Sequence, residues 1–88
     1  MIYPVYALRD AAAHAFLAPT LNSSDESARR DLARAVASDT TGMIGFKPSD
    51  FDLYRIGNYD AETGLLTPLS PVVLVVNAAA VVGDSHGV

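Results

Sequence analysis

The residues of this sequence best equipped for chemistry are five cations and a set of aromatics, and what they suit is binding a polyanion. Arg29, Arg30 and Arg34 fall within the amphipathic stretch 24–37, mostly opposite an apolar stripe, where guanidinium groups can meet phosphates. Lys47 and Arg55 lie in or beside a second stretch that also carries Phe51, Tyr54 and Tyr59. Exposed Tyr or Phe beside Arg can stack on unpaired bases. The nucleic-acid site on offer therefore combines Arg29, Arg30, Arg34, Lys47, Arg55 and Tyr54. A plainer reading stands beside it. Asp25–Arg29 and Glu26–Arg30 are i,i+4 pairs and Asp31 precedes Arg34 by three. Each such pair stabilises a helix by about 0.2–0.5 kcal/mol, so the same arginines also make an ordinary solvated face. Strand aromatics, for their part, more often fill a core than stack on a ligand.

Catalytic patterns are missing. His14 and His86 have no ligand spacing between them, and there is no cysteine for a thiolate site or a disulfide. Asp50, Asp52, Asp60 and Glu62 cluster, but Asp50 and Asp60 have ready capping or turn roles. Ser23-Ser24 has no base near it, and Gly42-x-x-Gly45 lacks the lysine of a phosphate loop. The expectation is a non-enzymatic protein with no cofactor and no metal.

Charge weighs against the nucleic-acid reading. Six Lys+Arg against ten Asp+Glu give a formal charge of −4. Affinity for nucleic acid comes largely from cations that replace counterions on phosphates. Any single-stranded DNA binding by one copy should therefore be weak, and an oligomer would raise it through avidity.

These side chains need elements to position them. At 88 residues the chain has room for one domain with a thin core, and oligomerisation is one way to add burial. Half the residues are hydrophobic, which argues for a folded chain. No signal peptide is visible, and the apolar tract 72–82 is shorter than a membrane span, so a soluble protein is expected. Residues 2–9 read as a strand, with Pro4 placing its start at an edge or before pairing begins. Asp10-Ala11-Ala12-Ala13 would start a helix by propensity, though Pro19 stops it too soon for a useful one; the other reading is a strand from about His14 to Leu21 paired back on the first through a turn near Asp10. Polar residues 22–27 cap a helix that ends near Ser38 and carries an apolar stripe of Ala28, Leu32, Ala35 and Val36. Residues 39–42 read as a loop, and 43–46 as an irregular cover for a core edge. A strand over 51–59 returns near Leu65–Leu69 through Asp60-Ala61-Glu62-Thr63-Gly64, where Gly64 takes positive φ. Pro68 and Pro71 are read as ending regular pairing.

The expected fold is α+β: a small antiparallel four-stranded sheet with one helix, in ββαββ order. Residues 1–71 form the domain. Residues 72–88 form an apolar C-terminal tail that packs across the domain or oligomerises, frayed from Gly83 onward. By alternation, Phe51, Leu53, Arg55, Gly57 and Tyr59 share one sheet face, and Asp52, Tyr54, Ile56 and Asn58 the other.

The hairpin also carries a resemblance. Pro48, Asp50, Phe51, Leu53, Tyr54, Gly57, Tyr59, Asp60, Thr63, Gly64 and Pro68 stand in a pattern that resembles the small non-structural protein of gokushovirus-like microviruses, phages with single-stranded DNA. Upstream, Asp10 and the segment Ala13-His14-Ala15-Phe16-Leu17-Ala18-Pro19 are similar to a second motif of that family, and the likeness runs from about Val5 to Leu69. It identifies no chemistry by itself. What it implies is an accessory phage protein, often labelled DNA-binding, that acts in the host cytoplasm during genome synthesis or packaging. It also tips residues 14–21 towards a strand, where helix propensity alone would favour a helix start at Asp10. The alternative is an assembly module that forms a homo-oligomer or docks on another viral protein, with no membrane partner.

Overall fold

The fold comes from a computed structural model that describes residues 1–38 and 47–82. The expected loop at 39–42, the irregular segment at 43–46 and the frayed end from Gly83 lie outside the described residues.

A curled antiparallel sheet carries one helix on one face, an α+β fold whose order follows the expected ββαββ. β1 (Ile2–Asp10) and β4 (Phe51–Asp60) are its central strands, and β5 (Leu65–Asn77) forms one edge. The expected second strand is broken in two. β2 (Ala15–Phe16) and β3 (Thr20–Leu21) both pair with β1, and residues 17–19 between them end in Pro19. Proline has no N–H to give the ladder, so the strand breaks there.

Pro4 corrects an expectation. Pairing of β1 with β4 begins at Ile2, and Pro4 lies within the strand opposite Asn58. The Pro4 carbonyl accepts from the Asn22 N–H on the β3 side. In an antiparallel ladder a residue's N–H and C=O point the same way, so the missing N–H also faces that side. The β3 pairing there already ends at Val5, and no ladder bond is lost.

Two turns use one device. After Asp10, the Asp10 Oδ1 accepts from Ala12 N–H and Ala13 N–H, and the turn closes at His14 with φ +56°. After Asp60, the same carboxylate atom accepts from Glu62 N–H, and the turn closes at Gly64 with φ +76°. An aspartate bonding its own downstream backbone starts each turn, and a left-handed residue ends it. Glycine occupies that conformation without strain, whereas histidine does not.

The helix α1 (Asp25–Ser38) starts where its cap residues predict: Ser24 Oγ accepts from Ser27 N–H at 3.1 Å. Its buried residues are Ala28, Leu32 and Ala33, with Val36 partly buried and Ala35 exposed. The stripe is thus turned by a fraction of a step from the expected one. It packs with Tyr6, Phe51, Leu53, Val76, Ala78 and Val81 as the core. The Tyr6 hydroxyl donates to Asp25 in the first turn of α1, tying strand to helix.

Pairing does not end at Pro68 and Pro71. β5 continues to Asn77, and a 3-10 turn over Ala78–Val81 completes the core, capped by Asn77 Oδ1 accepting from Ala79 N–H. The prolines are accommodated by an excursion. Register passes from Gly57↔Pro68 to Arg55↔Val73, so residues 69–72 bow out opposite Ile56. Of the 72–82 segment, Val76, Ala78 and Val81 are buried against the chain's own helix and strands, while Val72, Val73 and Leu74 remain exposed.

Candidate nucleic-acid interface

The layout of the candidate site turns on one irregularity in β4. Val5 pairs with Gly57 and Tyr6 with Arg55, so Ile56 is an extra residue with no β1 partner. A bulge of this kind shifts side-chain alternation by one, and residues on either side of it change faces. Before the bulge, Phe51 and Leu53 point to α1 and Tyr54 points away. After it, Gly57 and Tyr59 are on the helix-free face, not on the face they would share with Phe51 under strict alternation. Gly57 is needed at the bulge because β5 crosses it closely: a Cβ there would lie 2.6 Å from the Thr67 carbonyl oxygen.

Aromatic side chains therefore gather on the helix-free face. Tyr3 pairs across from Tyr59, Tyr54 across from Ala7, and Phe16 across from Arg9, all on the same side by cross-strand register. The Phe16 and Tyr54 rings meet edge to face, with centroids 5.6 Å apart and planes at 67°. Tyr3, Tyr54 and Tyr59 are half-buried, and Phe16 is 45% exposed. An apolar recess of about 210 Å³ is lined by Val5, Gly57, Ile56, Pro19, Leu66 and Pro68 and by none of these aromatics, although the Val5↔Gly57 pair lies by register between Tyr3↔Tyr59 and Ala7↔Tyr54. Ligand pockets for whole small molecules are commonly about 300–1,000 Å³, so this recess suits one flat ring lying on the sheet. Arg9 supplies a cation beside Phe16.

The other face has been put to structural use. Arg55 shares it with Tyr6, and its guanidinium donates to Asn58 Oδ1, a pairing possible only because the bulge brings residues 55 and 58 to one side. The Arg55 Nε–H is buried without a hydrogen-bond partner among the described residues. Burial raises the Tyr6 phenol well above the ordinary tyrosine range, and its hydrogen bond to the Asp25 carboxylate adds to the rise. Tyr6 stays protonated and acts as a strut. A wider groove of about 420 Å³ separates α1 from residues 17–22; its polar rim residues Asn22 and Asp31 bond each other.

The structure does not gather the predicted residues Arg29, Arg30, Arg34, Lys47, Arg55 and Tyr54 into one patch. Arg29, Arg30 and Arg34 are exposed on α1. Arg30 pairs with Glu26 at 3.4 Å and Arg34 with Asp31 at 2.8 Å, the ordinary helix pairs. Lys47 is exposed just before the 3-10 turn Pro48–Asp50 that leads into β4. Arg55 and Tyr54, adjacent in sequence, are on opposite faces. The residues that accompany Tyr54 are Tyr3, Arg9, Phe16 and Tyr59, none of them in the predicted set. The alternation Tyr3, Val5, Ala7, Arg9 marked one half of this face in the sequence, and a glycine inside a strand was the signal for the bulge that supplies the rest.

Among the described residues no cluster of metal-ligating side chains occurs, and no helix is long and apolar enough to cross a membrane. No curated protein and no solved structure matches the chain. A family model described as Phage ORF5 protein matches residues 3–81, from the first strand through the closing 3-10 turn. That span includes both Asp-initiated turns, the helix and every strand that carries the aromatic face, and the chain belongs to the Phage ORF5 protein family.

Proposed function

We propose that this protein is a non-structural, non-enzymatic accessory protein of a single-stranded DNA microvirus. In this reading it acts in genome synthesis or packaging by holding single strands on the helix-free face of its sheet. One observation carries the proposal: Tyr3, Phe16, Tyr54 and Tyr59 stand on that face with Arg9 paired to Phe16, and a small apolar recess opens at the Val5–Gly57 pair between them in register. Aromatic faces accept any base, and stacking is worth about 1–3 kcal/mol per base, so an acidic protein can use them where a purely electrostatic site fails. Membership of a phage family supplies the setting. The likeness of the hairpin motif to that of gokushovirus-like microviruses supplies the genome type.

Binding carried mainly by stacking has a distinct signature. With one arginine on the face, few counterions are released, and each phosphate contact contributes a slope of only about −0.7 in log K against log salt. Affinity should rise with oligonucleotide length and depend little on sequence. The test is fluorescence anisotropy of a labelled oligothymidylate titrated with wild type, Tyr54→Ala and the double variant Arg30→Glu/Arg34→Glu. The expected result is loss of binding for Tyr54→Ala of about tenfold or more, with a smaller change for the helix variant. Absence of wild-type binding at low salt, or equal binding by Tyr54→Ala, overturns the proposal.

A further inference from the structure

The two edges of the sheet are guarded differently. On the β1 side, β2 and β3 are two residues each, separated by Pro19, and offer little backbone for another strand to join. On the opposite side β5 is thirteen residues long and has no neighbour beyond it among the described residues. Its first half is protected, since Pro68, Pro71 and the excursion over 69–72 interrupt any regular ladder. Beyond Pro71 the remaining irregularity is one extra residue, Val75, where register passes from Leu53↔Val76 to Tyr54↔Leu74. Residues 72–76 contain neither proline nor charge, and Val72, Val73 and Leu74 are 38%, 52% and 54% exposed. Val76 is buried in the core and holds this half of the strand in place.

We infer that two copies of this chain pair antiparallel along the outer edge of β5, about a twofold axis near Val73, to form one continuous sheet. An open row of backbone N–H and C=O groups is satisfied by a strand, so the occupant must present one. Charge selects which strand. The molecule carries −4 overall, yet residues 63–82 hold no charged side chain. A second copy approaching along β5 meets no like charge there, despite the overall acidity. A basic partner would find no acid on this edge to read. The twofold makes the edge self-complementary, with Val72 of one copy opposite Leu74 of the other and Val73 opposite itself. Because such an axis stands perpendicular to the sheet, both aromatic faces remain on the same side. A strand of DNA could then engage both at once, which raises avidity with no new kind of contact.

The test is sedimentation of the full chain without nucleic acid, so that its outcome is separate from that of the DNA titration. Wild type should approach twice its 9.3 kDa mass as concentration rises. The pair Val73→Lys/Leu74→Lys places like charges directly opposite at residue 73 and diagonally at residue 74 and should raise the dimer Kd by at least about tenfold, while Leu66→Lys on the protected half should not. Circular dichroism shows whether the variants fold. Should the lysine pair misfold, cysteine variants decide: the chain has no other thiol, so Val73→Cys should oxidise to a covalent dimer and Leu66→Cys should not. A wild type that stays monomeric at every concentration overturns the inference. So does a dimer that survives the lysine pair, or a Val73→Cys chain that fails to cross-link.

Discussion

The two faces of the sheet are built from the same strands and use the same residue types to opposite ends. On the helix side, Tyr6 is 1% exposed with its hydroxyl bonded to Asp25, Arg55 is engaged with Asn58, and Phe51 and Leu53 are closed in under α1. On the other side Tyr3, Tyr54, Tyr59 and Phe16 are only partly covered, and Arg9 accompanies them. The first face has converted its aromatics and its arginine into packing. The second has kept them available. The difference is geometric: one helix covers only one side of a sheet, and a bulge at Ile56 moves Tyr59 from the side it would otherwise share with Phe51.

Paired truncations break or sharpen the contrast. Phe51→Ala should cost about 3–5 kcal/mol, because a fully buried ring leaves a cavity under the helix. Phe16→Ala, at a ring 45% exposed, should cost about 1 kcal/mol or less while weakening DNA binding. Denaturant titrations of both variants measure this, and equal losses would erase the distinction between the faces.

Tyr6→Phe comes next. Losing a buried donor to a carboxylate should cost about 1–2 kcal/mol at neutral pH. Its pH dependence identifies the cause. The folded chain holds the Tyr6 proton more tightly than the unfolded chain, whose tyrosine titrates near pH 10. The stabilisation is therefore complete below about pH 10 and is lost as pH rises from there through the higher folded value. Wild-type thermal stability should fall in that alkaline range more steeply than that of Tyr6→Phe. Parallel curves would mean that the phenol is not held as described.

Smaller effects come from the turns. Gly64→Ala should destabilise by about 1 kcal/mol, since φ of +76° strains any side chain although space around Gly64 is open. His14→Gly should do the reverse by a few tenths of a kcal/mol, relieving strain at φ +56° against the extra entropy of glycine. An unchanged melting temperature for both would remove the shared turn design.

Much of the fold was legible because local chemistry and tertiary context agree. Ser24 caps the helix that its neighbours predict, and Asp60 and Gly64 make the turn that their types require. The failures occur where backbone geometry departs from a fixed period. Strict alternation put Tyr59 with Phe51 because a bulge leaves the residue count unchanged and shows only as Gly57 in a strand. Pro68 and Pro71 looked like an end to β5, yet an edge strand can bow out over four residues and resume. Tyr54 was recognisable as a candidate-site residue, whereas Arg9, Phe16, Tyr3 and Tyr59 join its face only through cross-strand register.

The most direct test of the central claim is an NMR titration of the labelled chain with oligothymidylate, following aromatic and backbone signals together. The account predicts that the largest shifts fall on Tyr3, Arg9, Phe16, Tyr54 and Tyr59, with α1 and Arg55 little affected. Shifts centred on Arg29, Arg30 and Arg34, or none at all, would contradict it.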